Sequence, residues 1–567
     1  MDDNKGRSGM TVAQMRDWLR DWVITTTGLT PEEVTPERPM EEFGLSSRDI
    51  VILSGELESL LDVRLDATIA YEYPTIDKLA VRLIEGDVDN PDDSAYDALQ
   101  TGEEAARSRR LRDEKLTDMD IAVVGMAARY PGARNIGEMW DLLVSGRAGT
   151  GDLPEGRWSE FDGDANIAAE IAECDTRGGY LDDVVGFDNE FFGLSPLEVE
   201  NMDPQQRILL ELTWEALENA HLPASELRGE AVGVFMGATT NDYAMLIAAD
   251  PSAAHPYAMT GTSPSILSNR ISYAFDFRGP SITVDTACSS SLVSIHQAVR
   301  ALRDGDADAA VAGGVNLLVS PHATLSFGRL GVFSKTGAIH AFSEDASGMI
   351  RAEGAGVVVL KRLEDAEADG DDVLAVIKGT AVTSDGRSNG LTAPNPDAQV
   401  DVLRRAYADA GIRPQDVDYI EAHGTGTILG DPIEASALGT VLGRGRDAAN
   451  PTLLGSAKTN FGHTEAAAGV AGVIKVVLAM RNDVLPPSLH YAGPNPYIDF
   501  EGGRLEVVED PREWPEYSGR KVAGVSGFGF GGTNAHIVLT SPPAAPPQEE
   551  KTAPIDAAAA REAGMPY

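Results

Sequence analysis

From about Met119 to Leu539 the chain alternates short apolar strands, such as 121–125 and 232–237, with helical stretches and many glycines. Strands that are apolar throughout must be covered on both faces, so this alternation demands an α/β domain with buried sheets. The stretch is too long for one simple doubly wound unit and fits two related halves better. The flanks have a different texture. Residues 10–86 are helical in pattern, with Val12, Met15, Leu19 and Trp22 at helical spacing. Residues 87–117 are polar and charged and read as a solvated linker. The tail, 541–567, is rich in Pro, Ala and Glu and reads as disordered or extended.

Charge narrows the function classes. Lys plus Arg is 46 against 89 Asp plus Glu, a net charge of −43. Such a surface repels phosphate backbones and anionic bilayers, so neither nucleic acid nor membrane is an expected partner. The two cysteines, Cys174 and Cys288, cannot build a disulfide framework or a cysteine-rich zinc site, and no metal is expected. No apolar run reaches the ~20 residues that span a bilayer, and the N-terminal residues lack a signal peptide's hydrophobic stretch. A cytoplasmic enzyme or assembly component is the expectation.

Reactive side chains recur in one kind of place. Cys288 follows the β-rich run Ile282-Thr283-Val284 and precedes a helical face of Leu292, Ile295, Val299 and Leu302. A strand-to-helix turn sets a thiol beside unpaired backbone N–H groups and the positive end of a helix, which predicts an easily formed thiolate. His423 sits where the strand 419–421 breaks into a glycine turn, with a helix starting near Asp431-Pro432. His463 lies between the strand-like 452–456 and the Ala/Val helix 466–480, with Lys458 just upstream. Strand ends of packed α/β sheets are where sites collect, so these three elbows are read together as one site. Cys174, in an Ala/Glu/Asp context, and His536 are read as structural. The loop 527–532 is glycine-rich but lacks the Lys-Ser/Thr of a phosphate cradle, so no nucleotide is expected.

In the N-terminal region Phe43-Gly44-Leu45-Ser46-Ser47-Arg48-Asp49 precedes an apolar helical face of Ile50, Leu53, Leu57, Leu60 and Leu61. Ser46 reads as the N-cap, with Asp49 completing a capping box. Ser47 then falls on the first turn, beside the positive end of the helix, where a covalent phosphodiester is favoured.

This segment, with Tyr71-Glu72-Tyr73-Pro74-Thr75-Ile76, resembles the acyl carrier domains of type I polyketide synthases. The resemblance implies a small all-α four-helix domain whose Ser47 carries covalent 4′-phosphopantetheine, installed by a phosphopantetheinyl transferase. Ser46 and Arg48 depart from the family's usual Asp and Leu. Residues 118–540 resemble the β-ketoacyl synthase (ketosynthase) domain of those synthases, through Asp203-Pro204-Gln205-Gln206-Arg207, 264–270, 285–291, 421–427, 430–434, 458–463 and 527–536. The resemblance implies a thiolase-type αβαβα domain, a homodimer, and decarboxylative Claisen condensation. In that scheme Cys288 takes an acyl chain from a carrier thioester, and a malonyl-type unit on a carrier extends it. His423 and His463 stabilise the enolate through neutral Nε2–H groups, and Lys458 sets the local field. The N–H groups of Cys288 and Phe528 form the oxyanion hole. Thr425 and Thr427 hold the pantetheine arm; Phe528 and Phe530 line the pocket, Phe528 as its gate. Ser343 and Ala352 stand where the family often has Asp and Gly. A non-elongating transacylase or an inactive partner protein is the alternative, weighed against by the presence of Cys288 and both histidines. Since 541–567 matches no acyltransferase, reductase or thioesterase, either other polyketide synthase chains or a trans acyltransferase are the expected partners, or the chain is a piece of a longer synthase.

Overall fold

The computed structural model describes residues 10–85 and 119–543, except 32, 44, 46, 62–64, 66–68, 70–72, 250–254 and 389. The linker 87–117, most of the tail, and Ser46 with its capping role therefore lie outside the described residues.

In the N-terminal domain, α1 (Val12–Thr27), α2 (Ser47–Leu61) and α3 (Ile76–Glu85) pack with a 3₁₀ turn at Met40–Phe43. Thr11 and Gln14 form a reciprocal capping box that starts α1, and Gly28 in the left-handed region ends it. Met15, Leu19, Val23, Leu53, Leu57, Leu61, Ile76 and Leu79 form its core. Leu60 is not part of it. It is 37% exposed, because a step of four from Leu53 through Leu57 to Leu61 keeps the buried stripe one residue away. Ser47 is the first residue of α2, as its sequence context predicts.

The large domain is built on β1 (Ile121–Arg129), β2 (Val232–Gly237), β3 (Ser281–Val284), β4 (Ala309–Asn316), β5 (Gly354–Arg362), β6 (Ala375–Ser384), β7 (Tyr419–Glu421), β8 (Thr452–Gly455), β9 (Leu505–Val507), β10 (Val522–Phe528) and β11 (Thr533–Thr540). Their spatial order is β9-β8-β7-β10-β11-β6-β1-β5-β4-β2-β3. Two halves with one wiring are visible. From β1 outward the pairs run antiparallel (β5), antiparallel (β4), parallel (β2), parallel (β3). From β6 outward they run antiparallel (β11), antiparallel (β10), parallel (β7), parallel (β8), with β9 added beyond. The halves meet where β1 pairs β6 over three residues.

Side-chain alternation sorts the strands into three cores, as a period of two requires. Ile121 and Val123 point inward to a core shared with α6 (Ser290–Asp304) and α9 (Ala468–Asn482), the helices that follow β3 and β8. Ala122 and Val124 point outward to a core formed with α4 (Pro204–Asn219) and α5 (Ile266–Phe275). In the second half Ile420, Leu454 and Val538 face α7 (Pro396–Ala410) and α8 (Gly430–Leu438). Helix, sheet, central helices, sheet, helix is the αβαβα layering. Apart from Lys475, α9 is apolar on every face up to its last turn, as a helix covered on every side must be.

Candidate active site

Duplication brings the three elbows together. Cys288 lies between β3 and α6, and His463 lies at the counterpart place between β8 and α9. His423 follows β7, the counterpart of β2. The starts of the two central helices touch: the Val470 N–H donates to Ser291 Oγ at 3.0 Å.

The nucleophile turn is locally over-determined. Ala287 holds φ +55° in the left-handed region, which a non-glycine residue adopts only when its surroundings enforce it. They do so here: the Ala287 N–H donates to Asp285 Oδ1 (3.0 Å), Ser290 Oγ donates to the Ala287 carbonyl (2.7 Å), and Thr286 N–H donates to Ser290 Oγ (2.9 Å). Cys288 is left half-buried at the foot of this turn. Its thiol is not the readily ionised group its turn predicts. Burial, then the Glu465 carboxylate, push it up to about 11, against the opposing pull of the Phe530 N–H and the Lys458 ammonium. Loss of water around the sulfur outweighs the local donors.

The structure brings the two histidines together. Their rings are edge to face, with centroids 5.6 Å apart. Each Nδ1 accepts a backbone N–H, His423 from Phe528 (3.3 Å) and His463 from Glu465 (3.1 Å), which leaves the proton on Nε2 in both. Burial and the Lys458 charge hold both rings well below the usual imidazole range, so both are neutral donors. Lys458 itself is buried and drawn down by desolvation, with Glu421, Glu434, Cys288 and Asp431 holding it up.

The roles expected of Phe528 are not met, and it is the Phe530 N–H that takes its place at the sulfur. The Phe528 N–H is committed to His423, so it is not free for an oxyanion; the Phe530 N–H is the one that faces the sulfur. The Phe528 ring is 9% exposed, packed in the outer core and against His423, which is no position for a gate. Phe530 is 56% exposed in the tight turn between β10 and β11, closed by Gly532 N–H to the Gly529 carbonyl at 2.7 Å. A strand's period of two explains the difference, since the last residue of β10 points into packing while the turn residue is free of it. Gly529 is required there, because a Cβ would lie 2.4 Å from the Thr286 carbonyl.

Thr425 and Thr427 stand side by side with hydroxyls 3.1 Å apart. Cys174 caps a surface helix, and His536 is buried between Ser526 and Tyr407. Four residues in the site's support escaped the sequence reading. Glu434 accepts from His423 N–H (2.7 Å) and Gly424 N–H (2.8 Å), and Asp431 from Gly426 N–H (3.1 Å) and Phe342 N–H (2.7 Å). Burial pushes each of these carboxyls up to about 7. Glu465, at φ +45°, clasps Arg351 through both oxygens (2.5 and 3.1 Å). Carboxylates spaced 431 and 434 at a helix start were the available signal, but sequence spacing does not say which backbone they grip. Among the described residues no cluster suited to a metal is present.

An acyl-transferring condensing enzyme is the class that this fold and this Cys-His-His constellation define. Comparison with known proteins agrees: models for "Beta-ketoacyl synthase, N-terminal domain" and "C-terminal domain" match residues 118–366 and 374–492, followed by "Ketoacyl-synthetase C-terminal extension" over 494–562. "Phosphopantetheine attachment site" matches 17–83. The chain belongs to the β-ketoacyl synthase family and carries a phosphopantetheine-attachment domain ahead of the synthase. It is 51% identical over 529 residues to a phenolphthiocerol/phthiocerol polyketide synthase of Mycobacterium tuberculosis strain H37Rv, covering 93% of this chain and 28% of that protein. It is 45% identical over 513 residues to the spectinabilin polyketide synthase system protein NorA' of Streptomyces orinoci, covering 90% and 14%. The chain thus spans a minor part of these relatives. Among solved structures, the ketosynthase from module 6 of the Bacillus subtilis bacillaene synthase is 41% identical with a TM-score of 0.68, over 75% of this chain and 72% of that one. The oxazolomycin ketosynthase domain OzmH KS7 of Streptomyces albus is 40% identical with a TM-score of 0.70, over 76% of each.

Proposed function

We propose that Cys288 receives an acyl chain from a carrier thioester and that His423 and His463 then drive its extension by a malonyl-type unit. The observation that carries this reading is the pair of neutral imidazoles, each with its proton fixed on Nε2, which share Lys458 as a neighbour with a half-buried thiol. In the first half-reaction the Cys288 sulfur–carbonyl bond forms as the carrier's sulfur–carbonyl bond breaks, and the thiol proton leaves on the carrier sulfur. In the second, the bond to the malonyl carboxylate breaks, carbon dioxide departs, and its electron pair moves onto the thioester oxygen. The two Nε2–H groups donate to that oxygen, preorganised for the charge as it develops. The resulting carbon attacks the Cys288-bound carbonyl, whose oxyanion is met by the N–H groups of Cys288 and Phe530. Collapse expels the Cys288 thiolate, which takes a proton from solvent. Lys458 keeps the imidazoles neutral, and Thr425 and Thr427 line the approach of the substrate arm.

Ser47 suits its covalent group, since the first residue of a fifteen-residue helix offers a phosphodiester the positive end of the dipole. When bound, 4′-phosphopantetheine supplies a thiol on a long arm that holds an acyl group as a thioester; a phosphopantetheinyl transferase would install it. Dimerisation is supported by β3, a terminal strand of the sheet, whose Ile282 is 44% exposed, and by exposed Met245, Met259 and Tyr273 on the helices beside it. Two unpaired thiols, one of them a nucleophile, fit the reducing cytoplasm. Other polyketide synthase chains or a trans acyltransferase would supply the extender.

The test is conversion of carrier-bound acyl and malonyl thioesters to a β-ketoacyl product, followed by intact mass spectrometry. Wild type is expected to form product through acyl-Cys288, and Cys288→Ala is expected to form neither. Acyl-Cys288 without product would favour the non-elongating transacylase. Ser47→Ala is expected to abolish the pantetheine mass gain, and its persistence would reject the carrier assignment.

A further inference from the structure

Behind the catalytic chamber lies an ion pair that none of the steps above uses. Lys475, in the middle of the apolar α9, has no exposed surface, and its Nζ lies 2.7 Å from Glu421 Oε2. The same oxygen accepts from Tyr419 Oη at 2.7 Å, and the Tyr419 ring lies 5.7 Å from the ammonium. Glu421 Oε1 accepts from the N–H of Ala457, the residue before Lys458, at 2.5 Å. Glycine at 472 is required by this carboxylate, because a Cβ there would lie 2.9 Å from Glu421 Cγ.

A pair so buried is an expensive way to fill a core. Replacing such pairs with apolar residues of similar size is often neutral or stabilising, so packing does not explain it. Its position does. A cavity of about 10 Å³, the size of a single water, is lined by both Glu421 and Lys458, with Ser526 and Thr464 also in its wall. Lys458 is faced by Glu421 from the end of β7, by Glu434 and Asp431 from α8, and by Cys288 from the β3–α6 turn. Cys288 is faced by Lys458 and by Glu465, while both catalytic imidazoles face Lys458 and are neutral. Among the carboxylates acting on Lys458, Glu421 has the largest effect.

We infer that the Lys475–Glu421 pair acts on the chamber through Lys458, holding its ammonium charged so that it faces the Cys288 thiol and the two imidazoles as a fixed positive field. Glu421 and Lys475 are positioning residues and touch no substrate. The inference rests on Cys288 being the nucleophile, but its test does not require condensation to occur.

The experiment is the rate of Cys288 alkylation by iodoacetamide in the full chain, followed by peptide mass spectrometry so that Cys174 is read separately. Glu421→Gln removes the carboxylate charge outright. Lys475→Met leaves a buried carboxylate without its ammonium, which takes up a proton instead. Both are expected to slow alkylation near neutral pH by about tenfold, equivalent to a one-unit rise in the thiol's midpoint. The double variant Glu421→Gln/Lys475→Met, which leaves no unpaired charge, is expected to fold and to be slowed alike. In a Lys458→Met background Glu421→Gln is expected to add nothing. Unchanged alkylation in the folded double variant, or an equal slowing by Glu421→Gln with and without Lys458, would overturn the inference. A wild type that is alkylated at Cys288 but forms no β-ketoacyl product would instead count against the condensation reading.

Discussion

A backbone N–H on each Nδ1 decides what His423 and His463 can do, because a neutral ring with its proton on Nε2 donates and does not take a proton there. Glu434 holds the His423 backbone from below through a two-oxygen grip. In Glu434→Gln only one side-chain oxygen remains to accept, so one charge-assisted bond is lost, worth about 1.5–3 kcal/mol. Condensation is expected to fall about 10- to 100-fold in steady-state assays, further than Cys288 alkylation does. The phenylalanines should separate cleanly. Phe528→Ala empties a core position and is expected to lower stability by about 3–5 kcal/mol in a denaturant melt. Phe530→Ala, on an exposed turn residue, is expected to leave the melt unchanged while altering the rate of acyl loading. A melt of Phe530→Ala shifted as far as that of Phe528→Ala would refute the reading of Phe530 as a turn residue free of core packing. The thiol, pushed up to about 11, is expected to alkylate faster with rising pH, with no step near pH 6.5, since both imidazoles are neutral from well below that value.

At the scale of elements the same device appears three times, a strand end, a tight turn and a helix start. The turn supplies the reactive side chain, and the helix supplies oriented N–H groups that otherwise lack partners. Side chains recruited from elsewhere fix the turn's shape, as Glu434 and Asp431 do for 423–426. In the small domain the Thr11–Gln14 capping box fixes the start of α1, whose buried Met15, Leu19 and Val23 carry much of a small core. Thr11→Ala is expected to cost that domain about 1 kcal/mol, read as earlier loss of its amide-exchange protection, with Cys288 alkylation unaffected. The apolar spacing of α1 was readable along the chain, and so was the helix start at Ser47. Leu60 was misplaced because one residue of drift separates the stripe through Leu53, Leu57 and Leu61 from its neighbour.

Across the whole molecule, duplication is the organising fact. Two halves with one strand wiring bring together the elbows that follow β3, β7 and β8. The terminal strand β3 also carries the nucleophile turn, so assembly along it would stiffen the site. Ile282→Asp is expected to shift the chain from dimer to monomer in sedimentation while helix and strand content stay constant; a wild-type monomer would remove the proposal.

The sequence alone determined the alternation of strand and helix, the three elbows, and the identity of Cys288, His423 and His463 as reactive candidates. These are local properties, written in the period of apolar residues and in small residues at turns. Only the tertiary structure decided which N–H faces the sulfur, which phenylalanine is buried, and that the thiol is held protonated. Each of those depends on distant segments, such as Glu465, Lys458 and the 529–532 turn, arriving at one place and excluding water, and no spacing along the chain encodes that arrival.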